Sequence, residues 1–159
     1  MPGTPRDGLV TQVQEAMRAF MARAVLYQDA VARTVGMSAT ELQCAGLLLD
    51  HGPATAGELA ERAGLTSGGA ITGVIDRLER SGFAHRSRDH TDRRRVVVTA
   101  DRERLEASLG PIYARVGRQW ADYLAGLDEE QLAFAAELLA QAAALNDAET
   151  RRLRQRGDG

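Results

Sequence analysis

One stretch decides the fold of this chain: TAGELAERAGLTSGGAITGVIDRLERSGFAHRSRDHTDRRRVVVT, from Thr55 to Thr99. A short helical pattern in it ends at Gly64, a longer one follows and stops near Gly82, and a β-branched run closes the stretch. Short helix, tight turn, longer helix and hairpin follow one another in the order of a winged helix-turn-helix. The stretch therefore predicts a mainly α fold with one small β-hairpin.

Polar caps mark where the two helices of this stretch begin. Thr55 stands three residues before Glu58, which is the spacing of a reciprocal capping box. Gly64 is placed to end that helix as a left-handed cap, and Thr66 or Ser67 would cap the next helix. Four apolar residues of the second helix fall at i, i+3, i+4 and i+7 and predict one inward stripe: Ile71, Val74, Ile75 and Leu78.

The other side of the second helix has the chemistry of a surface that enters a DNA groove. Short hydroxyls can donate to phosphates or base edges, glycines allow close backbone approach, and an arginine can reach a phosphate or a guanine. The residues concerned are Thr66, Ser67, Gly68, Gly69, Thr72 and Arg77. The alternative is that the glycines form a loose helix start and the hydroxyls only cap it.

Five arginines fall within ten residues around the predicted hairpin tip, between His90 and Arg93, although the whole chain has a net charge of only −2. They are Arg86, Arg88, Arg93, Arg94 and Arg95. A hairpin beside a recognition helix lies over the adjacent minor groove, whose negative potential attracts arginine. We expect Arg86, Arg93 and Arg94 to contact DNA, and Asp92 to hold an arginine side chain by two hydrogen bonds. The alternative is a solvated charged turn.

These motifs resemble the DNA-binding core of the MarR (multiple antibiotic resistance regulator) family of transcription factors. The most specific part is IDRLERSGF, at residues 75–83, followed closely by DHTDRRR, at residues 89–95. The resemblance implies an obligate homodimer that offers one recognition helix to each half of a palindromic operator. On the family pattern, residues 66–72 and Arg77 map to the recognition helix, and Asp92 and Arg94 to the wing tip.

Long helical patterns flank this core on both sides. One covers residues 9–35, and a capping box at Ser38 and Glu41 opens the helix after it. After Asp101 an apolar stripe persists for more than five turns, and Asp128 caps a last helix. An amphipathic helix of that length at a chain end needs a partner surface. We therefore predict three segments, two for dimerisation around one for DNA binding: residues 1–37, 38–100 and 101–159.

Other side chains give weaker signals. Cys44 is the sole cysteine, which excludes an internal disulfide, and its apolar surroundings favour a buried, inert thiol over a peroxide sensor. The three histidines lack the spacing of a zinc site: His51, His85 and His90. Four aromatic residues either line a ligand cavity or belong to the core and interface: Tyr27, Tyr113, Trp120 and Tyr123.

Several classes of protein are disfavoured. The glycines before Ile71 are followed by no Lys-Ser/Thr, and no catalytic set stands out, so we expect neither an enzyme nor a bound cofactor. The chain has no apolar run long enough for a membrane span and no signal-peptide pattern, which predicts a cytoplasmic protein. The function predicted is that of a ligand-responsive repressor on double-stranded DNA. The alternative is a winged-helix module that docks on an acidic protein partner.

Overall fold

The computed structural model describes residues 4–65, 68–89 and 92–157. The chain divides into two compact units, residues 1–109 and residues 110–159. The described residues form helices and one hairpin in this order: α1 (Pro5–Thr34), α2 (Ala39–His51), α3 (Ala56–Ala63), α4 (Gly68–Arg80), β1 (Ala84–Arg88), β2 (Val96–Ala100), α5 (Arg102–Leu124) and α6 (Glu129–Gly157). This mainly helical fold with one β-hairpin confirms the predicted class.

The predicted capping boxes of α2 and α3 are formed. The Ser38 hydroxyl accepts from the Glu41 amide and the Glu41 carboxylate accepts from the Ser38 amide, and the second box repeats this exchange between Thr55 and Glu58. Gly64 adopts the left-handed conformation (φ 71°) that ends α3. The caps that we predicted for α4, at Thr66 and Ser67, lie outside the described residues.

The start of α1 was predicted too late. The helix begins at Pro5 rather than at residue 9, because Thr4 and Asp7 form a third capping box ahead of it. Pro5 stands at the first helical position, where its missing amide hydrogen costs no hydrogen bond.

The hairpin pairs β1 and β2 in antiparallel register, from Ala84 opposite Ala100 to Arg88 opposite Val96. We call this hairpin the wing. A third backbone segment pairs with it at Ala54, two residues before α3. Ala54 exchanges two backbone hydrogen bonds with Val98, of 3.1 and 2.8 Å. The wing is therefore attached by its backbone to the chain that leads into α3.

The core of the first unit lies beneath α4 and the wing. Its fully buried side chains come from the end of α1, from α2, α3, α4 and β2, and from the start of α5: Val31, Cys44, Leu59, Ile75, Leu78, Val98 and Leu105. Burying a large apolar side chain contributes about 1.5–3 kcal/mol relative to leaving it exposed. This shared core fixes the orientation of α4 against α2 and α3.

Apolar side chains on the long helices are exposed in the single chain. In the first unit they lie along α1, where Val31 and Ala32 are the buried residues and Leu9, Val13 and Phe20 are about half exposed or more. In the second unit they are found at the end of α5 and along α6: Trp120, Tyr123, Leu124, Leu132, Phe134, Leu139, Leu145 and Leu153. None of the described helices combines the length and hydropathy that a membrane crossing requires.

Candidate nucleic-acid interface

The helix α4 turns one side to the core and the other to solvent. The inward stripe is as predicted, since Ile71, Val74, Ile75 and Leu78 are all 3% exposed or less. On the opposite side a second stripe runs at i, i+4, i+7 and i+11: Gly69, Gly73, Asp76 and Arg80. Because its first member is Gly69, where a built Cβ would meet no atom within 4 Å, the N-terminal end of this stripe lets another molecule approach the helix backbone closely.

The structure places four of the six predicted α4 residues. Gly68 is the first residue of the helix, and a Cβ added at Gly69 would meet no atom within 4 Å. Thr72 is exposed on one flank of the glycine stripe, and Arg77 lies on the other flank. Thr66 and Ser67 lie outside the described residues.

Arg77 is held by α2 through one side of its guanidinium, while half of its side chain remains exposed. Its Nε donates to Oε1 of Glu41, a carboxylate that is 6% exposed. Burial raises the pKa of Glu41, but the hydrogen bonds from Arg77 and from the Ser38 amide, with the charge of Arg77, more than offset this, so the pKa lies below its usual range. The pair therefore stays ionised at neutral pH and joins α4 to the start of α2.

Arg86 holds the other flank of α4. Its Nη2 donates to Oδ1 of Asp76 at 2.7 Å, its Nη1 donates to Oε2 of Glu79, and its backbone amide donates to Oε1 of Glu79 at 2.7 Å. The hydrogen bond that Arg86 donates to Asp76, together with the charge of Glu79, outweighs the opposing effect of burial and raises the pKa of Arg86. Arg86, which we predicted to contact DNA, thus ties the wing to α4.

Arg95 and Arg88 also have partners within the protein. Nη2 of Arg95 donates to Oε1 of Glu58, 2.7 Å away, which connects β2 to the first turn of α3. Nη1 of Arg88 donates to the carbonyl of Arg93 at 2.8 Å, across the end of the hairpin. Three of the five clustered arginines therefore stabilise the wing itself.

Asp92 corrects one of our predictions. Its Oδ1 accepts from the backbone amide of Arg94 at 3.0 Å, and its backbone carbonyl accepts from the amide of Arg95 at 2.9 Å. We expected this carboxylate to hold an arginine side chain by two hydrogen bonds, and that expectation is wrong. A short acidic side chain hydrogen-bonds readily to a backbone amide two residues on, so Asp92 stabilises the turn instead.

Arg93 and Arg94 remain. Both are exposed in this turn, and within residues 4–65, 68–89 and 92–157 no hydrogen bond or ion pair engages either guanidinium. The backbones of both are fixed, because the Arg93 carbonyl and the Arg94 amide are hydrogen-bonded. The wing therefore presents two positively charged side chains that are unpaired within the described residues, on a turn whose backbone is hydrogen-bonded.

Sequence reasoning missed the acidic partners of Arg77 and Arg86. Glu41, Asp76 and Glu79 were not singled out as site residues, although Glu41 was identified as a cap. Their partners stand 7 to 36 residues away in the chain, so no local spacing reveals them. Arg80, which is exposed on the glycine stripe, was not singled out either.

The other candidate residues have these surroundings. Cys44 is fully buried, and burial, with a smaller effect of the Glu41 charge, raises the pKa of its thiol to about 11. A groove of about 360 Å³ opens on the wing and is lined by Pro53, His85, Ser87, Asp89, Val97 and Thr99. Trp120 and Tyr123 pack edge to face, 6.1 Å between ring centres. In the described part of the chain, no three His, Cys, Asp or Glu side chains are grouped to hold a metal ion.

Comparison with known proteins connects this geometry to a family. The sequence model that describes the MarR family matches residues 37–96 of this chain, which include α2, α3, α4, β1 and the start of β2. The HTH-type transcriptional regulator YcgE of Bacillus subtilis is 33% identical over 153 residues, which cover 94% of this chain and 96% of YcgE. The family and this relative are transcriptional regulators, not enzymes.

Solved structures share the fold. FabT of Streptococcus pneumoniae, in complex with DNA, superposes with a TM-score of 0.66 at 17% identity, covering 87% of this chain and 98% of FabT. BpsR of Bordetella bronchiseptica, whose DNA binding is regulated by 6-hydroxynicotinic acid, superposes with a TM-score of 0.52 at 20% identity. The superposition covers 82% of this chain and 92% of BpsR. The winged helix-turn-helix, the family match and the full-length relative lead to one conclusion. The chain belongs to the MarR family of DNA-binding transcriptional regulators.

Proposed function

We propose that the protein acts as a homodimeric repressor on a palindromic operator. Each protomer places α4 in the major groove of one half-site and the wing over the adjacent minor groove. A small molecule bound to the dimer weakens this contact. The observation that carries the proposal is that the wing arginines fall into two groups. Arg86, Arg88 and Arg95 bond to groups within the protein and stabilise the wing, whereas Arg93 and Arg94 are exposed at its end.

The proposed contact surface combines two chemistries. The glycine-rich start of α4, with the hydroxyl of Thr72, suits close approach to phosphates and base edges. The exposed guanidiniums of Arg93 and Arg94 suit a minor groove of negative potential. Asp92 supports them by shaping the turn, and Arg86 supports them by holding the wing on α4. Thr66, Ser67, Gly68 and Gly69 complete the proposed set.

The homodimer is supported by apolar surface on both units. Leu9, Val13 and Phe20 on α1 are each exposed in the single chain, and Leu132 and Leu139 on α6 are exposed as well. A second copy of the chain would remove this surface from water, which stabilises by about 25 cal/mol per Å² of apolar area. We assign residues 1–37 and 101–159 to the dimer and residues 38–100 to DNA binding.

Ligand response is proposed by analogy with BpsR, and DNA docking by analogy with FabT. A small molecule that binds one spacing of the two recognition helices better than another shifts the dimer toward that spacing. If the preferred spacing does not match the operator, affinity for DNA falls by the same coupling free energy. A repressor acts in the compartment that holds the chromosome, which agrees with the cytoplasmic location predicted from the sequence.

The test is a mobility-shift titration on the DNA that flanks the protein's own gene, repeated at several salt concentrations and followed by footprinting. We expect two protected half-sites, centred about 10 base pairs or a multiple of this apart. Binding should weaken steeply with salt because phosphate contacts release counterions. A single unpaired half-site would contradict the palindrome. Failure to shift at low salt would favour the protein-interaction module instead.

A further inference from the structure

We propose that Glu41 is a positioning residue for operator recognition. It holds the guanidinium of Arg77 across Gly73, at the middle of the outer stripe of α4, so that the free edge of the guanidinium meets a pair of acceptor atoms on the duplex. This inference rests on the proposed insertion of α4 into DNA.

The geometry begins with the position of Arg77. The residue stands on the flank of α4 that faces α2, and Glu41 reaches it from α2. A Cβ built on Gly73 would lie 3.3 Å from Nη1 of Arg77, so the guanidinium passes directly over that glycine. Arg77 thus starts on a flank of the helix and ends above its central stripe.

Glu41 is a fixed anchor because both of its carboxylate oxygens are engaged. Oε2 accepts from the Ser38 amide at 3.0 Å in the capping box, and Oε1 accepts from Nε of Arg77. The residue is 6% exposed, whereas the side chain of Arg77 remains half exposed. The buried carboxylate therefore sets the direction of a guanidinium whose other end is open to solvent.

The open end is the one that recognises nucleic acid. Nε is committed to Glu41, and within the described residues the Nη1–Nη2 edge has no hydrogen-bond acceptor. That edge carries two parallel N–H donors, which match guanine O6 and N7 or two phosphate oxygens. Fixing it before DNA arrives lowers the ordering cost of binding.

Arg86, on β1, contacts the opposite flank of α4 and serves only to brace the fold. Both of its Nη groups donate to carboxylates, those of Asp76 and Glu79, so its Nη1–Nη2 edge is already hydrogen-bonded within the protein. Arg77 is held instead through Nε. The difference between the two flanks of α4 assigns recognition to Arg77 and bracing to Arg86.

The first test measures the affinity of the full-length protein for the duplex flanking its own gene. Glu41→Gln keeps an acceptor for the Ser38 amide, because glutamine also serves in capping boxes, but removes the charge that holds Arg77. We expect a loss of affinity of about fivefold for Glu41→Gln and about tenfold or more for Arg77→Gln. The double variant should bind as Arg77→Gln does, since Glu41 acts through Arg77.

Two outcomes of this cycle overturn the inference. One is wild-type affinity in Glu41→Gln, and the other is a double variant whose loss is the product of the two single losses. Failure of the wild-type protein to shift this duplex at low salt would instead overturn the proposed function, and this inference with it. If the wild-type protein binds this duplex and Glu41→Gln binds it equally well, only the inference about Glu41 is overturned and the proposed function stands.

A second test separates positioning from stability. Gly73→Ala and Gly46→Ala both add a methyl group inside a helix, and at Gly46 nothing lies within 4 Å of it. Both changes favour the helix, so neither melting temperature should fall. Only Gly73→Ala should weaken DNA binding, because its methyl would lie 3.3 Å from Nη1 of Arg77 and push the guanidinium out of its position by a few tenths of an ångström. Equal affinity of the two variants would overturn the inference.

Base-pair substitutions identify the acceptors. If Arg77 reads guanine, Arg77→Gln should abolish the preference at one base pair of each half-site. If it binds phosphate, the variant should lose affinity uniformly and its salt dependence should become shallower by about one ion per protomer. Either result supports a recognising Arg77. A variant unchanged in both respects contradicts it.

Discussion

Nη2 of Arg95 lies 2.7 Å from Oε1 of Glu58, and this hydrogen-bonded ion pair ties the wing to the first turn of α3. The same carboxylate caps α3 through its bonds to Thr55. With Arg86 attached to Asp76 and Glu79 of α4, the wing is fastened to both helices of the helix-turn-helix. The cationic turn at its end is therefore held in register with the recognition helix.

Breaking the link to α3 should weaken DNA binding without unfolding the protein. Glu58→Gln keeps an acceptor for the Thr55 amide but loses the charge that attracts Arg95, so we expect a few-fold loss of operator affinity and an almost unchanged melting temperature. Fluorescence anisotropy with a labelled duplex measures the first. Glu106→Gln, which breaks the exposed pair with Arg102 on α5, is the control. Equal affinities of the two variants would show that the link does not matter.

The inward stripe of α4 should dominate its stability. Ile75 has no exposed surface, so Ile75→Val should lower the free energy of unfolding by about 0.5–1.5 kcal/mol and Ile75→Ala by about 2–5 kcal/mol. Urea denaturation at one fixed protein concentration measures both, because the stability of the proposed dimer would depend on concentration. Arg80→Ala, on the opposite side of the helix, should change it little. An Ile75→Ala variant as stable as the wild type would refute the described packing.

A charge among the exposed apolar side chains of α1 should break the proposed dimer. Val13 is 48% exposed in the single chain, and we expect it to be buried by a second copy. Val13→Glu would then place an unpaired charge in an apolar interface, which is costly. Sedimentation should show a monomer at concentrations where Gln14→Glu, the neighbouring exposed position, remains dimeric. Two variants of equal mass in solution would contradict the assignment of α1.

The thiol of Cys44 should be unreactive in the folded protein. Burial raises its pKa from 9.0 to about 11, so it is neutral at pH 8 and a disulfide reagent should react only after urea is added. The folded state then keeps a proton that the unfolded state loses, and stability should fall as the pH rises from 9 to 11. Cys44→Ala should lack this component. Rapid labelling at pH 8 without urea would exclude a buried thiol.

The sequence predicted the features that depend on near neighbours. Capping boxes join residues three apart, and the α4 stripe needs only a helical period, so Glu58 and Ile75 could be assigned from the sequence. The box at Thr4 and Asp7 has the same spacing, and we overlooked it. The short bridge between Ala54 and Val98 gave no comparable signal, because a single residue pair leaves no period in the sequence.

The roles of the arginines could be predicted only in part. The cluster was visible, but which members brace the wing depends on carboxylates that folding brings close. Glu58 lies 37 residues before Arg95, and Asp76 lies 10 residues before Arg86. The Asp92 carboxylate accepts from the Arg94 backbone amide and not from an arginine side chain. The geometry of the tight turn determines which partner it binds, and sequence spacing alone does not reveal it.

We propose that Arg93 and Arg94 are the cations that contact the duplex, and this is tested by the salt dependence of operator binding. Replacing both by glutamine should reduce the slope of log affinity against log salt by about 1.8 per protomer, since each phosphate contact contributes about 0.9. The control, Arg33→Gln with Arg151→Gln, removes equal charge from exposed pairs on α1 and α6 and should leave the slope unchanged. A wild-type slope in the Arg93 and Arg94 variant would contradict the account.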